Sequence, residues 1–465
     1  MFVLTDCRIP TGHGNETRRA HVVVRGGRIV EVADGEARAP AGCEPIDAGG
    51  LLALPGAIDG HVHFDTPGFT EREDFEHGTA AAAAGGVTTV VDMPCTSLPP
   101  VTSVRAMERK LAAIRPMAHV DFALWGGASG NLLAERGWRE DLAGLARAGV
   151  VGFKTYLISG MDTFTELGEE QLVLVMAEAA RLGVPVGLHA EDPARVRGRS
   201  RELVEAGRDD WDAVAAARAE PAEEEGVATG LAALRRAQGE PTARARCALH
   251  VVHVGSAAAA ARVGAARRAG QDVTAETCPH YLAFTRDDFA TLGPYLKTAP
   301  VVKTAADRDG LWRALADGML DFVATDHAPC PREEKEAGGA WGAYGGVPGV
   351  ETMLPFLLSE GVFTGRMDLA RLVEVTSGAA ARRWGLWGRK GSLDVGKDAD
   401  VVLIDPDASW VVRAEELHSK AGWTPFEGRT FRGKVVRTFV RGRQVYDAGA
   451  GILGDPGWGE FVKRQ

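Results

Sequence analysis

No stretch of the sequence runs about 18 apolar residues without polar interruption, so no membrane span is expected. The nearest approach, Ala80 to Val91, is broken by Gly85, Gly86, Thr88 and Thr89. The opening residues, Met1-Phe2-Val3-Leu4-Thr5-Asp6-Cys7, lack the basic region, apolar core and small-residue cleavage site of a secretory signal, which makes the cytoplasm the expected location. Cysteine is scarce. Six cysteines in 465 residues, none closely paired, exclude zinc-finger spacing and leave reduced thiols as the expectation. A basic stripe is missing as well: 53 Lys plus Arg stand against 63 Asp plus Glu, a net charge of -10. Such a chain has no electrostatic footprint for a phosphate backbone, and nucleic acid is not an expected partner. Nor does a Gly-x-Gly-x-x-Gly turn follow the first strand of the central region, which counts against a doubly wound nucleotide-binding sheet.

What is present fits a globular enzyme: 45% hydrophobic and 25% charged residues, in a chain long enough for one large and one smaller domain. Both ends look strand-rich. His21 to Arg25 and Arg28 to Val32 flank Gly26-Gly27, a hairpin signal. The same texture returns at Asp400 to Asp405 and at Lys434 to Val440, before Arg441-Gly442-Arg443. A small β-sandwich domain built from both termini, 1–52 plus 388–465, is therefore expected. Between them, eight short apolar segments alternate with Ala-, Glu-, Leu- and Arg-rich helical patterns. The eight are Ala57–His61, Thr88–Asp92, Val120–Trp125, Val150–Tyr156, Pro185–His189, Ala248–Val254, Asp272–Glu276 and Asp321–Thr325. Eight strand–helix units over 53–387 predict an α/β fold, a (β/α)8 TIM-type barrel.

In such a barrel, residues at the C-terminal ends of the strands converge on one mouth. Here those positions hold metal-capable side chains: His61 and His63, whose i, i+2 spacing puts both on one side of an extended segment, then Lys154, His189, His253 and Asp326. Taken alone, a barrel histidine is more often a packed, hydrogen-bonded residue than a ligand. Lys154 is harder to dismiss. A lysine among Gly152, Phe153 and Tyr156 would bury an ammonium at a cost of several kcal/mol. Desolvation favours the neutral amine, which can add carbon dioxide to become a bridging carbamate. Six such positions on five strands predict a metal site.

The chain resembles the binuclear amidohydrolase superfamily, specifically the cyclic amidases: allantoinases, dihydroorotases, and dihydropyrimidinases or hydantoinases. The carriers span nearly the whole chain: Pro55 to His63, Gly85 to Pro94, Val151 to Lys154, Leu188 to Glu191, His253 to Ser256, Glu276 to Leu282, Thr325 to Cys330 and Gly391 to Asp400. The resemblance implies two zinc ions per chain, with other divalent metals able to substitute. His61, His63 and Asp326 would hold one and His189 and His253 the other, bridged by N6-carboxylated Lys154. It further implies hydrolysis of a cyclic amide C–N bond in a small cyclic ureide, with Asp326 as the catalytic proton carrier, in a homotetramer or homodimer. His250, on the opposite strand face from His253, is expected to be structural. Some members of the fold have lost their ligands and act as scaffolds; the intact set here argues against that.

The subfamily patterns differ near the site. Dihydroorotases present an Arg two residues after the second metal histidine, where this chain has Asp65. Dihydropyrimidinases place a Tyr five residues after the bridging lysine, where this chain has Ser159. The nearest resemblance is to allantoinases, through Ser159, the Asp-His-x-Pro-Cys run ending at Cys330, and Ala340-Trp341-Gly342, although Cys95 and Lys303 depart from the usual pattern. Allantoin to allantoate is the expected reaction, with hydantoinase, dihydropyrimidinase or dihydroorotase chemistry as alternatives. Asp65, Ser159, Cys278, His280, His327 and Cys330 are the expected substrate contacts.

Overall fold

The computed structural model describes residues 1–35, 42–239 and 247–465. The chain begins with β1 (Phe2–Pro10), β2 (Thr17–Arg25), β3 (Arg28–Asp34), β4 (Glu44–Asp47) and β5 (Leu52–Pro55). β2 and β3 form an antiparallel hairpin closed by Gly26 and Gly27, with φ of +58° and +78°. Two successive positive φ values match the turn to the strand twist, and glycine adopts them without the clash a Cβ would bring.

The barrel strands follow: β6 (Ala57–Val62), β7 (Val87–Asp92), β8 (Asp121–Leu124), β9 (Gly126–Gly127), β10 (Phe153–Tyr156), β11 (Val186–His189), β12 (Ala248–Val251), β13 (Asp272–Thr277) and β14 (Phe322–Val323). They pair in parallel in two groups, β6-β7-β8 and β9 through β14. The groups join at Trp125, whose N–H donates to Asp92 O at 3.0 Å. They close through a parallel bridge between Val62 and His327, just past β14. With β8 and β9 counted as one strand broken at Trp125, the barrel has the eight strands expected, and helices such as Glu169–Leu182 and Ala257–Arg268 lie between them. The fold is the (β/α)8 barrel with a β domain from both ends of the chain.

The final strands, β15 (Val401–Val411), β16 (Thr430–Val440), β17 (Arg443–Asp447) and β18 (Gly451–Ile452), return to the first sheet. Its order is β18-β17-β16-β15-β5-β1-β2-β3, with β4 paired to β1. β5 sits between β1 and β15, so the same short strand that enters the barrel ties the two ends together. Among the described residues, no helix is long and apolar enough to cross a membrane.

Two features place the site. Inside the barrel, Trp125 packs edge-on against Trp384 (centroids 4.7 Å apart), and His250 stacks on Phe322 at 5.1 Å. This aromatic plug leaves the polar strand ends to line the other half. Outside, the terminal sheet is fastened to the barrel by a buried ion cluster. Lys390 Nζ lies 2.5 Å from Asp121 on β8, 2.7 Å from Asp400 and 3.1 Å from Asp398. Arg441 and Arg389 also reach Asp121 and Asp398, at 3.1 and 2.7 Å, but Lys390 is the cation that all three carboxylates share, and removing it leaves the buried Asp400 uncompensated. Lys390→Met is expected to lower unfolding free energy by ~3–5 kcal/mol in urea titrations, and an unchanged midpoint would contradict the fastening role.

Candidate metal centre

Each of the predicted ligands emerges where a barrel strand ends. His61 lies among the last residues of β6 and His63 just past it, Lys154 lies in β10, His189 closes β11, and His253 and Asp326 sit just past β12 and β14. Five non-glycine residues among those described have positive φ, and three are here: Asp65 (+27°), His253 (+41°) and Asp326 (+49°). Left-handed backbone at such residues costs free energy and persists only where the surroundings enforce it. The enforced turns swing the side chains of His253 and Asp326 inward.

The convergence is close. Asp326 Oδ1 lies 3.1 Å from both His61 Nε2 and His63 Nε2, and the donor atoms of these three residues all fall within 4.8 Å of one another. Burial disfavours the Asp326 carboxylate, yet the charges and hydrogen bonds of His61 and His63 hold its pKa well below the ordinary range. His189 Nδ1 and His253 Nε2 face each other at 3.0 Å. Lys154 is fully buried and its Nζ has no hydrogen-bond partner, as is also true of His253 Nδ1. Burial pulls the Lys154 ammonium down to about 8 despite nearby Cys95 and Asp326. Buried donors without partners are rare in folded proteins and call for a ligand. Two clusters of nitrogen and oxygen donors beside an unpartnered amine suit a divalent cation.

Two carboxylates hold the ligand rings from behind. Glu276 Oε1 is 2.6 Å from His61 Nδ1, while its Oε2 is 3.1 Å from His250 Nε2, so His250 is the structural histidine expected. Glu191 Oε2 is 2.8 Å from His189 Nε2 and 2.6 Å from Arg218. Such contacts fix ring orientation and leave the other nitrogen free for metal. Neither glutamate was assigned a role from sequence. The i, i+2 spacing of His189 and Glu191, which places both on one side of an extended segment, was the available signal.

The centre opens into a cavity of about 750 Å³. Ser159 lines it, but its Oγ donates to Phe164 O at 2.8 Å and accepts from Met161 N–H at 3.1 Å. The other five expected substrate contacts are not among the cavity walls. His327 is buried with both nitrogens engaged, Nε2 by Glu73 at 3.1 Å and Nδ1 by the N–H groups of Gly349 and Val350. Cys330 is buried with Val347, Ala421 and Trp423. Cys278 is fully buried in the main core, and His280 is buried against the Tyr281 ring, with burial holding its pKa down to about 4. Asp65 is buried beneath the wall with Oδ1 unpartnered, and burial pushes its carboxyl up to about 7. Instead the cavity meets Cys95 and Tyr156. The Tyr156 ring stacks on His189 (centroids 5.2 Å), and its hydroxyl lies 3.2 Å from Cys95 Sγ. Phe69, Arg72, Trp341 and Tyr344 form the outer wall, and Arg72 is neutralised by Glu334 at 2.7 and 3.0 Å.

A (β/α)8 barrel with this donor set at its mouth is the architecture of a metal-dependent hydrolase. The sequence matches the amidohydrolase family over residues 52–130 and 128–445, and the chain belongs to that family. It is 42% identical over 457 residues to an allantoinase of Rubrobacter xylanophilus, covering 96% of this chain and 97% of that one. It is 34% identical over 468 residues to an L-hydantoinase of Paenarthrobacter aurescens, covering 100% and 98%. Among solved structures, the L-hydantoinase (dihydropyrimidinase) from Arthrobacter aurescens superposes with a TM-score of 0.93 at 33% identity, with both chains covered completely.

Glu276 yields a pH prediction. Burial opposes its ionisation, but the His61 charge and the bonds to His250 and His61 prevail and lower its pKa from 4.5 to about 2. A carboxylate with a depressed folded-state pKa adds stability above the unfolded value and loses it as pH falls toward the folded one. Glu276→Gln is expected to flatten the stability loss between about pH 5 and pH 3 while lowering stability at neutral pH. Urea titrations at both pH values check this; an unaltered slope would contradict it.

Proposed function

We propose that the chain hydrolyses the ring amide of allantoin to give allantoate, using two zinc ions bridged by N6-carboxylated Lys154. The observation that carries this reading is the meeting of His61, His63 and Asp326 with His189 and His253 at one cavity, with Lys154 buried and unpartnered in β10. Support for allantoin in particular comes from the 42% identity to an allantoinase along almost the full chain. Neutralised Arg72 and the buried carboxyl of Asp65 also suit an uncharged ring better than one bearing a carboxylate.

In this reading His61, His63 and Asp326 would hold one ion and His189 and His253 the other, with carboxylated Lys154 as the anionic ligand shared between them. When bound, the metals lower the pKa of water toward neutrality and polarise the ring carbonyl. Asp326 accepts the proton of the attacking water and returns it to the ring nitrogen as the C–N bond breaks. The oxygen of water ends on the carbonyl carbon, one of its protons on nitrogen, and the other leaves to solvent as the ring opens to a carboxylate. Glu276 and Glu191 keep the His61 and His189 rings oriented throughout. Tyr156, Cys95 and the outer wall keep the ring against the centre.

A second reading, a hydantoin with an apolar substituent, is favoured by one observation. The cavity is far larger than a single ring needs and has Phe69, Ile158, Met161, Val196 and Val214 on its walls. The reading extends to a cytoplasmic homotetramer or homodimer, with the β domain at 1–52 plus 388–465 and the barrel at 53–387. Six free cysteines suit a reducing compartment.

Ring-opening assays on allantoin, dihydroorotate, dihydrouracil and a 5-substituted hydantoin test the substrate; allantoin is expected to have the highest kcat/KM, and preference for dihydroorotate would overturn the reading. Chelation is expected to abolish activity and zinc to restore it, with about two zincs per chain by elemental analysis. Asp326→Asn is expected to lower kcat/KM by at least about 10²–10⁴-fold. Retained activity in that variant would remove Asp326 from its role.

A further inference from the structure

Lys335 carries a buried amine with no carboxylate partner among the described residues, and burial pulls its ammonium pKa down to about 7. Its side chain is fully excluded from solvent. All three ammonium protons are instead directed at backbone carbonyls: Lys297 O at 2.9 Å, Tyr344 O at 2.8 Å and Gly346 O at 2.7 Å. The Trp423 ring lies 5.3 Å from Nζ. Burying an ammonium is costly, and only complete hydrogen bonding makes the arrangement tolerable. The carbonyls come from two separate segments, and both face the cavity: Lys297, Thr298 and Ala299 on one side, Tyr344 and Gly345 on the other. A second lysine repeats the pattern in the opposite direction, with Lys297 Nζ donating to Trp341 O at 2.6 Å. The outer wall is thus laced by two ammonium groups rather than by side-chain packing alone.

We propose that Lys335 is a positioning residue for substrate binding, whose ammonium fixes the outer wall of the cavity and so sets which cyclic amides the site accepts. The proposal rests on reading this cavity as the hydrolytic site. Lys335 touches none of the six donors assigned to the metals. Its loss therefore acts on the fit of the ring and its substituent, not on the chemical step. Without the cation, the Tyr344 and Gly346 carbonyls lose a buried partner, and the 338–346 segment loosens from 297–299.

The test is Lys335→Met in the metal-loaded full chain, read in three ways. KM for the best wild-type substrate is expected to rise at least about tenfold while kcat stays within about threefold, the signature of lost uniform binding. Metal content is expected to be unchanged. Chymotrypsin is expected to cleave at Trp341 and Tyr344 faster than in the wild type. Unchanged KM and unchanged cleavage would overturn the proposal, as would a fall in kcat with KM retained. If Lys335→Met does not fold, Lys297→Met removes the second lace from a half-buried position; faster cleavage at the same sites supports the proposal, and wild-type resistance overturns it. Should the wild type open none of the rings, the functional reading fails and the substrate-positioning role falls with it, while the cleavage comparison separately reports whether Lys335 holds the wall.

Discussion

One carboxylate shared by two imidazoles organises the mouth of the barrel. Asp326 Oδ1 stands 3.1 Å from a nitrogen of His61 and of His63, and these residues come from opposite ends of the barrel sequence. Their meeting requires that the strand series close on itself, which the Val62–His327 bridge accomplishes one residue away from each. It also requires left-handed backbone at Asp326, a local cost borne because the whole barrel enforces it. The remaining donors follow from the same closure. His189, His253 and Lys154 reach the centre from strands whose register is locked by parallel pairing on both sides.

The interior divides its labour along the barrel axis. Aromatic rings fill one half, where Trp384 and Phe322 pack on His250 and Trp125 packs on Trp384. Glu276 marks the border, one oxygen on the structural His250 and the other on His61. A single buried carboxylate thereby transmits the rigidity of the plug to a ligand ring. Glu191 does the same for His189, with Arg218 balancing its charge. Rigid support of this kind is what separates a site that binds metal at defined geometry from a cluster of nearby histidines.

Much of this was legible in sequence, for a physical reason. Strands buried on both faces read as short apolar runs, and the residue ending each run must face the mouth, so His61, His63, Lys154, His189, His253 and Asp326 could be named from strand position alone. Gly26-Gly27 was equally plain as a hairpin turn. The expected strand 321–325 is shorter in the structure, Phe322–Val323, because the Asp59 carboxylate takes the Thr325 N–H at 3.0 Å and its hydroxyl at 2.5 Å. The cavity walls were much less legible. They come from loops whose paths depend on distant partners: His327 is turned away by Glu73, Cys330 is covered by Trp423, and the Tyr344 segment is drawn in by Lys335. No local pattern encodes those contacts. Tyr156, two residues beyond Lys154 in the same strand, was the one wall residue that strand alternation could have placed on the side of the site.

A crystal structure of the zinc-loaded protein, with anomalous data at the zinc edge, tests the central claim most directly. Two anomalous peaks are expected, one among His61, His63 and Asp326 and one beside His189 and His253, with density extending beyond Lys154 Nζ to join them. A bare Lys154 ammonium with no peak at the strand ends would contradict the account.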